Sequence, residues 1–182
     1  MPHSHLHDLS EDLLQRAARV RLACFDVDGT LTDGRLLFDS EGRESKSFHV
    51  ADGQGLAQLR HFGVRVAFVT ARDSRVARLR GEELGAEVHA GAKDKLACVR
   101  ELCERHGLAL EQVSFMGDDL PDIPPMRHVG LSVAPANVHP WTRPHARWIT
   151  RAAGGEGAAR ELCDLLLAAQ GHVPALLAEL ER

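Results

Sequence analysis

The chain has no surplus of positive charge: 22 Lys+Arg stand against 26 Asp+Glu, a net charge of −4. That excludes the basic footprint of a nucleic-acid binder. No apolar run approaches the roughly 18 residues that a membrane-spanning helix needs. The start of the chain carries Asp8, Glu11 and Asp12 and has no basic segment followed by an apolar one, so no secretory signal is expected. Four cysteines, Cys24, Cys98, Cys103 and Cys163, contain no Cys-x-x-Cys pair, which argues against a zinc site or a disulfide framework and for reduced thiols in the cytoplasm. Repeats and low-complexity stretches are missing too. What remains is an ordinary soluble composition, 44% apolar and 26% charged, in 182 residues. That is room for one domain.

The apolar runs place the elements. Val20–Phe25 and Val64–Val69 read as buried parallel strands, and Val113–Met116 as a third. Shorter ones are expected at Gly130–Val133, Arg147–Ile149 and around Glu87–His89. Helical patterns lie between them at Gly53–His61, Asp73–Leu84, Lys93–His106 and Gly157–Ala169, after a leader helix at about Leu9–Ala18. Alternating strands and helices predict an α/β fold, a doubly wound parallel sheet with helices on both faces. About residues 35–50, with a turn at Asp39-Ser40-Glu41-Gly42, read as a β-hairpin inserted after the first strand. The expected division is a leader over 1–19, the domain over 20–171 and a tail over 172–182. His3, His5 and His7 alternate in the leader and read as part of a frayed terminus rather than a metal site.

The polar residues able to do chemistry follow strand ends, where open sheets of this kind bind ligands. Asp26-Val27-Asp28-Gly29 puts two carboxyl groups at the mouth of the sheet, with Gly29 permitting a sharp turn. A calcium loop also begins Asp-x-Asp, but it wants an acidic or amide residue fifth, glycine sixth and glutamate twelfth. This chain has Thr30, Leu31 and Leu37 there. Thr70 ends the second strand and offers a hydroxyl and an N–H to an anion. Lys95 stands near a helix start, and Gly117-Asp118-Asp119-Leu120-Pro121-Asp122 adds acids after the third strand. Together these make a cation site beside an anion site, because carboxylates and a phosphate ester repel unless a cation and a lysine sit among them. A receiver domain shares the acidic pocket and lysine but lacks an acid two residues after its nucleophile, so Asp28 separates the two readings. A non-catalytic relative would have lost acids that are present here.

In that order the four segments resemble the motifs of haloacid dehalogenase-like phosphatases. Within that family the chain is similar to the branch acting on 3-deoxy-D-manno-octulosonate 8-phosphate, through ESKSFHVADGQG (44–55), VTAR (69–72), VGLSVAPANVHP (129–140) and GGEGAARELCDLLL (154–167). The resemblance implies Asp26 as nucleophile, Asp28 as general acid and base, and Thr70 and Lys95 holding the transferring phosphoryl group. It implies Mg²⁺ bound by the Asp26 carboxylate, the Asp28 main-chain carbonyl and the Asp118 carboxylate, with Asp119 and Asp122 orienting these ligands from behind. It assigns substrate contacts to Asp28, His49, Asp52, Gly53, Arg72, Arg80 and Lys95, and it implies release of phosphate from a lipopolysaccharide sugar precursor. Ala51 and Ala57 stand where relatives carry arginines, which keeps a nine-carbon keto acid 9-phosphate as the alternative substrate.

Only 24 residues separate Thr70 from Lys95, and 41 separate Asp28 from Thr70. Neither interval holds a cap domain. An open mouth of this kind predicts a homotetramer in which hairpins, and Gly154–Gly157 acting as a closing tail, complete neighbouring sites.

Overall fold

A computed structural model describes residues 6–180. Six parallel strands form one sheet: β1 (Leu22–Phe25), β4 (Arg65–Thr70), β5 (Glu87–Ala90), β6 (Val113–Met116), β7 (Leu131–Ala134) and β8 (Trp148–Ile149). Their order is β5-β4-β1-β6-β7-β8. The chain builds outward from β1 to β4 and β5, then crosses back to β6 on the other side. The strand order therefore reverses between β1 and β6, and a crevice opens beyond their carboxyl ends. Leu22 pairs with both Arg65 and Val113, and Phe25 with Phe68 and Met116, so β1 and β6 end level and β4 runs two residues further, to Thr70.

Alternation along β1 explains the two cores. Ala23 and Phe25 point to a layer formed by α1 (Glu11–Arg19), α2 (Val50–His61), α3 (Arg75–Leu84) and α6 (Ala158–Ala169). Leu22 and Cys24 point to the opposite layer, from α4 (Lys95–His106) and α5 (Ile123–His128). Phe25, Phe68 and Phe115 are fully buried, each contributing roughly 1.5–3 kcal/mol through the apolar area removed from water.

The helix expected at about Leu9–Ala18 is present as α1 and joins the fold: its Leu13 and Ala17 are buried in the main core, and Trp148 Nε1 donates to the His7 carbonyl at 3.0 Å. The His7 ring lies tilted against Trp148, while His3 and His5 lie outside the described residues. The tail contains a helix, α7 (Val173–Leu180), whose Leu176 packs on the same core. The hairpin is shorter than expected. Its strands β2 (Leu37–Phe38) and β3 (Glu44–Ser45) pair over two residues each, and Phe48 lies beyond them against the core. Leu36, Leu37 and Phe38 stay about half exposed.

Candidate active site

Asp26 follows β1 directly, and its N–H donates to the Met116 carbonyl of β6 at 2.9 Å, which fixes it at the reversal point. It is buried, as are Thr70, Lys95 and Asp122. Lys95 opens α4, whose N-cap Asp94 accepts from Ala97 N at 2.9 Å. From that position Lys95 Nζ donates to Asp26 Oδ1 at 2.5 Å and to Asp122 Oδ1 at 2.6 Å. Asp122 Oδ2 accepts the N–H groups of Asp118 and Asp119 at 3.0 and 3.2 Å. With both oxygens engaged, Asp122 anchors the lysine and shapes the loop after β6. Asp119 is exposed and caps Leu120 N at 2.8 Å, so of the two acids expected behind the ligands only Asp122 lies among the carboxylates.

Carboxylate oxygens of Asp26, Asp118 and Asp122 all lie within 4.8 Å of one another. Burial, then the charge of Asp122, pushes the Asp118 carboxyl up to about 6, against a hydrogen bond from Thr30 Oγ1 at 2.9 Å. Burial and Asp122 also push Asp26 well up, against the pull of Lys95. Burial works against the charge of Lys95 itself, but Asp26 and Asp122 outweigh it and raise its pKa. Three acids against one lysine leave a deficit of positive charge, and an all-oxygen donor set suits a hard divalent cation. The residues fit such an ion, since Asp26, Asp118 and Asp122 each bring a carboxylate oxygen to one place. Cation affinity should fall as pH is lowered through about 6, because protonating Asp118 removes a donor. Calorimetric titration on either side of that value checks this; equal affinities would contradict it.

Glycines let these loops close. Gly29 has φ +98°, and a Cβ there would sit 2.2 Å from Asp118 Oδ2. Gly154 and Gly155 do not form the free closing tail that was expected. Gly155 N donates to Thr30 O at 3.2 Å, Gly154 N donates to Asn137 Oδ1 at 2.9 Å, and a Cβ on Gly154 would stand 1.8 Å from the Gly29 carbonyl oxygen. This segment braces the Asp26–Thr32 loop of its own chain. Gly154→Ala should cost about 1–3 kcal/mol through overpacking and lower activity, because the obstacle is backbone. Thermal melts and turnover measured together check it, and an unchanged melt would refute the bracing.

Asp28 sits at the rim of the same crevice. Its Oδ1 accepts from Lys46 Nζ, and Arg72 Nε stands 3.9 Å from its Oδ2. Oδ2 is buried and accepts no hydrogen bond among the described residues, which suits an atom that handles a proton. Lys46, with a side chain only 1% exposed, was not singled out from the sequence. Its one legible signal was a lysine inside the 44–55 segment.

The residues expected to meet the sugar divide. Arg72 borders Asp28. His49, Asp52, Gly53 and Arg80 line a separate narrow cleft with Leu31 and Phe48. His49 caps α2 through Ala51 N at 3.2 Å. Arg80 lies over the Phe48 ring, paired with Glu83 at 2.8 Å, and crosses Gly53 where a side chain would collide with it. Asp52 is 3% exposed, and its Oδ1 accepts from Arg160 N at 2.7 Å, so besides lining this cleft it caps α6. Burial raises its pKa.

A profile of haloacid dehalogenase-like hydrolases matches residues 81–162. The chain is 43% identical over 163 residues to the 3-deoxy-D-manno-octulosonate 8-phosphate phosphatase of Yersinia pestis, covering 89% of this chain and 87% of the relative. Among solved structures, a hypothetical protein from Xanthomonas campestris matches at 61% identity and TM-score 0.95, over 98% of both chains. The Moraxella catarrhalis 3-deoxy-D-manno-octulosonate 8-phosphate phosphatase, solved with magnesium, phosphate and KDO, matches at 37% identity and TM-score 0.92, over 94% of this chain and 99% of that one.

Proposed function

Because the chain belongs to the 3-deoxy-D-manno-octulosonate 8-phosphate phosphatases of the haloacid dehalogenase-like family, we propose that it is a magnesium-dependent phosphoric monoester hydrolase. It releases phosphate from that eight-carbon sugar acid ester and so supplies the free acid for lipopolysaccharide synthesis. The observation that carries this reading is the buried Asp26–Lys95–Asp122 chain beside Asp118. The relatives' substrate favours the eight-carbon ester over the nine-carbon one.

Asp26 attacks phosphorus in line with the sugar oxygen, and the bond to that oxygen breaks as an aspartyl phosphate forms. Asp28, through Oδ2, gives its proton to the departing oxygen. It then takes a proton from the water that attacks the aspartyl phosphate, which returns Asp26 and frees phosphate. Thr70 and Lys95 hold the phosphoryl oxygens as charge moves between them. Asp26, Asp118 and the Asp28 carbonyl would hold Mg²⁺, which would supply the positive charge that lets a carboxylate approach a phosphate ester. Arg72 offers a guanidinium to the sugar acid, and His49, Gly53 and Arg80 extend that contact along the hairpin side.

The working form we propose is a cytoplasmic homotetramer. Unpaired Cys24, Cys98, Cys103 and Cys163 suit a reducing compartment. The half-exposed Leu36, Leu37 and Phe38 on a two-residue hairpin need a partner surface. Leu37→Asp with Phe38→Asp should yield a monomer by light scattering; a variant that stays tetrameric would remove the hairpin from the interface. Phosphate release from the eight- and nine-carbon esters in parallel tests the substrate. The eight-carbon ester should win by about tenfold or more in kcat/KM, and the reverse order would overturn the assignment.

A further inference from the structure

The hairpin carries an acid that neither the phosphoryl chemistry nor the tetramer uses. Glu44 of β3 has a side chain only 13% exposed. Its Oε1 meets Arg72 Nη2 at 3.0 Å and Lys46 Nζ at 3.2 Å, and its Oε2 accepts from Ser74 Oγ at 2.5 Å. Ser74 is rigid, being buried and the N-cap of α3, with its Oγ accepting from Ala77 N at 3.2 Å. The same two cations face Asp28. Two acids and two bases thus alternate around one ring, with the end on Ser74 fixed to the core. We propose that Glu44 is a positioning residue that holds Lys46 and Arg72 between itself and Asp28, and so keeps Asp28 Oδ2 aimed at the leaving oxygen.

The argument is one of shared charge. With Glu44 ionised, Lys46 is divided between two carboxylates and occupies only Oδ1 of Asp28, while Arg72 is drawn toward Glu44 and stands off Oδ2 at 3.9 Å. Without that charge, Arg72 has one acidic neighbour in the ring. It then either closes on Oδ2, taking the oxygen that handles the proton, or turns its 42%-exposed side chain to water. Both outcomes spoil the delivery of a proton to a poor leaving group.

This inference rests on the role proposed for Asp28, and the test separates the two. Glu44→Gln, nearly isosteric and still able to bond Ser74, is compared with wild type on three esters: p-nitrophenyl phosphate, glycerol 3-phosphate and 3-deoxy-D-manno-octulosonate 8-phosphate. A nitrophenolate leaves without a proton, whereas an alkoxide does not. The ratio of alkyl to aryl kcat/KM should therefore fall about tenfold for both alkyl esters, and Glu44→Asp should recover part of it. A loss confined to the sugar phosphate would mean that Glu44 serves only sugar recognition. An equal loss on all three, tracking a lower melting temperature, would make it merely structural. Either result overturns the proposal. Asp28→Asn on the same esters tests the underlying reading: if it leaves the alkyl-to-aryl ratio unchanged, that reading fails, whatever Glu44 does.

Discussion

Asp26→Asn should abolish turnover, by on the order of 10⁴-fold or more, while the protein keeps its fold. An amide oxygen is a poor nucleophile and cannot form the acyl phosphate, so the first bond-making step has no partner. The fold should survive because the substituted group keeps its size and because two of its three charged neighbours are acids. Removing one carboxylate relieves repulsion that burial makes expensive. Steady-state phosphate release and a thermal melt check both halves. Near wild-type turnover would remove Asp26 from the nucleophile's role, and an unfolded variant would show that its charge is needed to hold Lys95.

Lys95→Met should fail on both counts. The ammonium is 3% exposed and bridges Asp26 and Asp122. Removing it leaves carboxylates buried without their counter-charge, at a cost of about 3–5 kcal/mol. For a chain of this size that corresponds to a melting temperature lower by roughly 10 °C in metal-stripped protein. Turnover should fall by about 10²–10³-fold, since a fixed donor to the phosphoryl oxygens is lost. Magnesium should raise the variant's melting temperature more than it raises that of wild type, because the ion takes over part of the missing charge. A metal-stripped variant that melts with wild type would show that the bridge contributes nothing to stability.

How far the sequence speaks depends on how local each cause is. Asp26 and Asp28 were legible because an apolar strand ends at Asp26 and a glycine follows Asp28, and both facts sit within ten residues. The strands ending at Thr70 and Met116 were legible for the same reason, and their pairing with β1 then brings Thr70, Asp26 and Asp118 to one edge. Lys95 required one step more, that the helix after β5 begin at the crevice. Asp122 was seen as an acid near the site. That it grips Lys95 with one oxygen and the loop of Asp118 with the other follows from a turn no pattern announces.

Three assignments needed the folded chain. Asp52, given a substrate contact by resemblance, also caps a helix starting about a hundred residues later. Gly154 reads as slack, yet it is pressed against Gly29. Nothing local in the sequence marks Glu44 and Lys46 as partners, yet the folded chain gathers them with Asp28, Arg72 and Ser74. By itself the amino-acid sequence determined the sheet, the order of the strand-end motifs and the class of chemistry, because strand periodicity and the residues at strand ends are set by near neighbours. Tertiary structure alone decided which polar side chains share charge. Ion pairs and caps form between groups brought together across the whole chain, and their strength depends on burial, which no short stretch of sequence specifies.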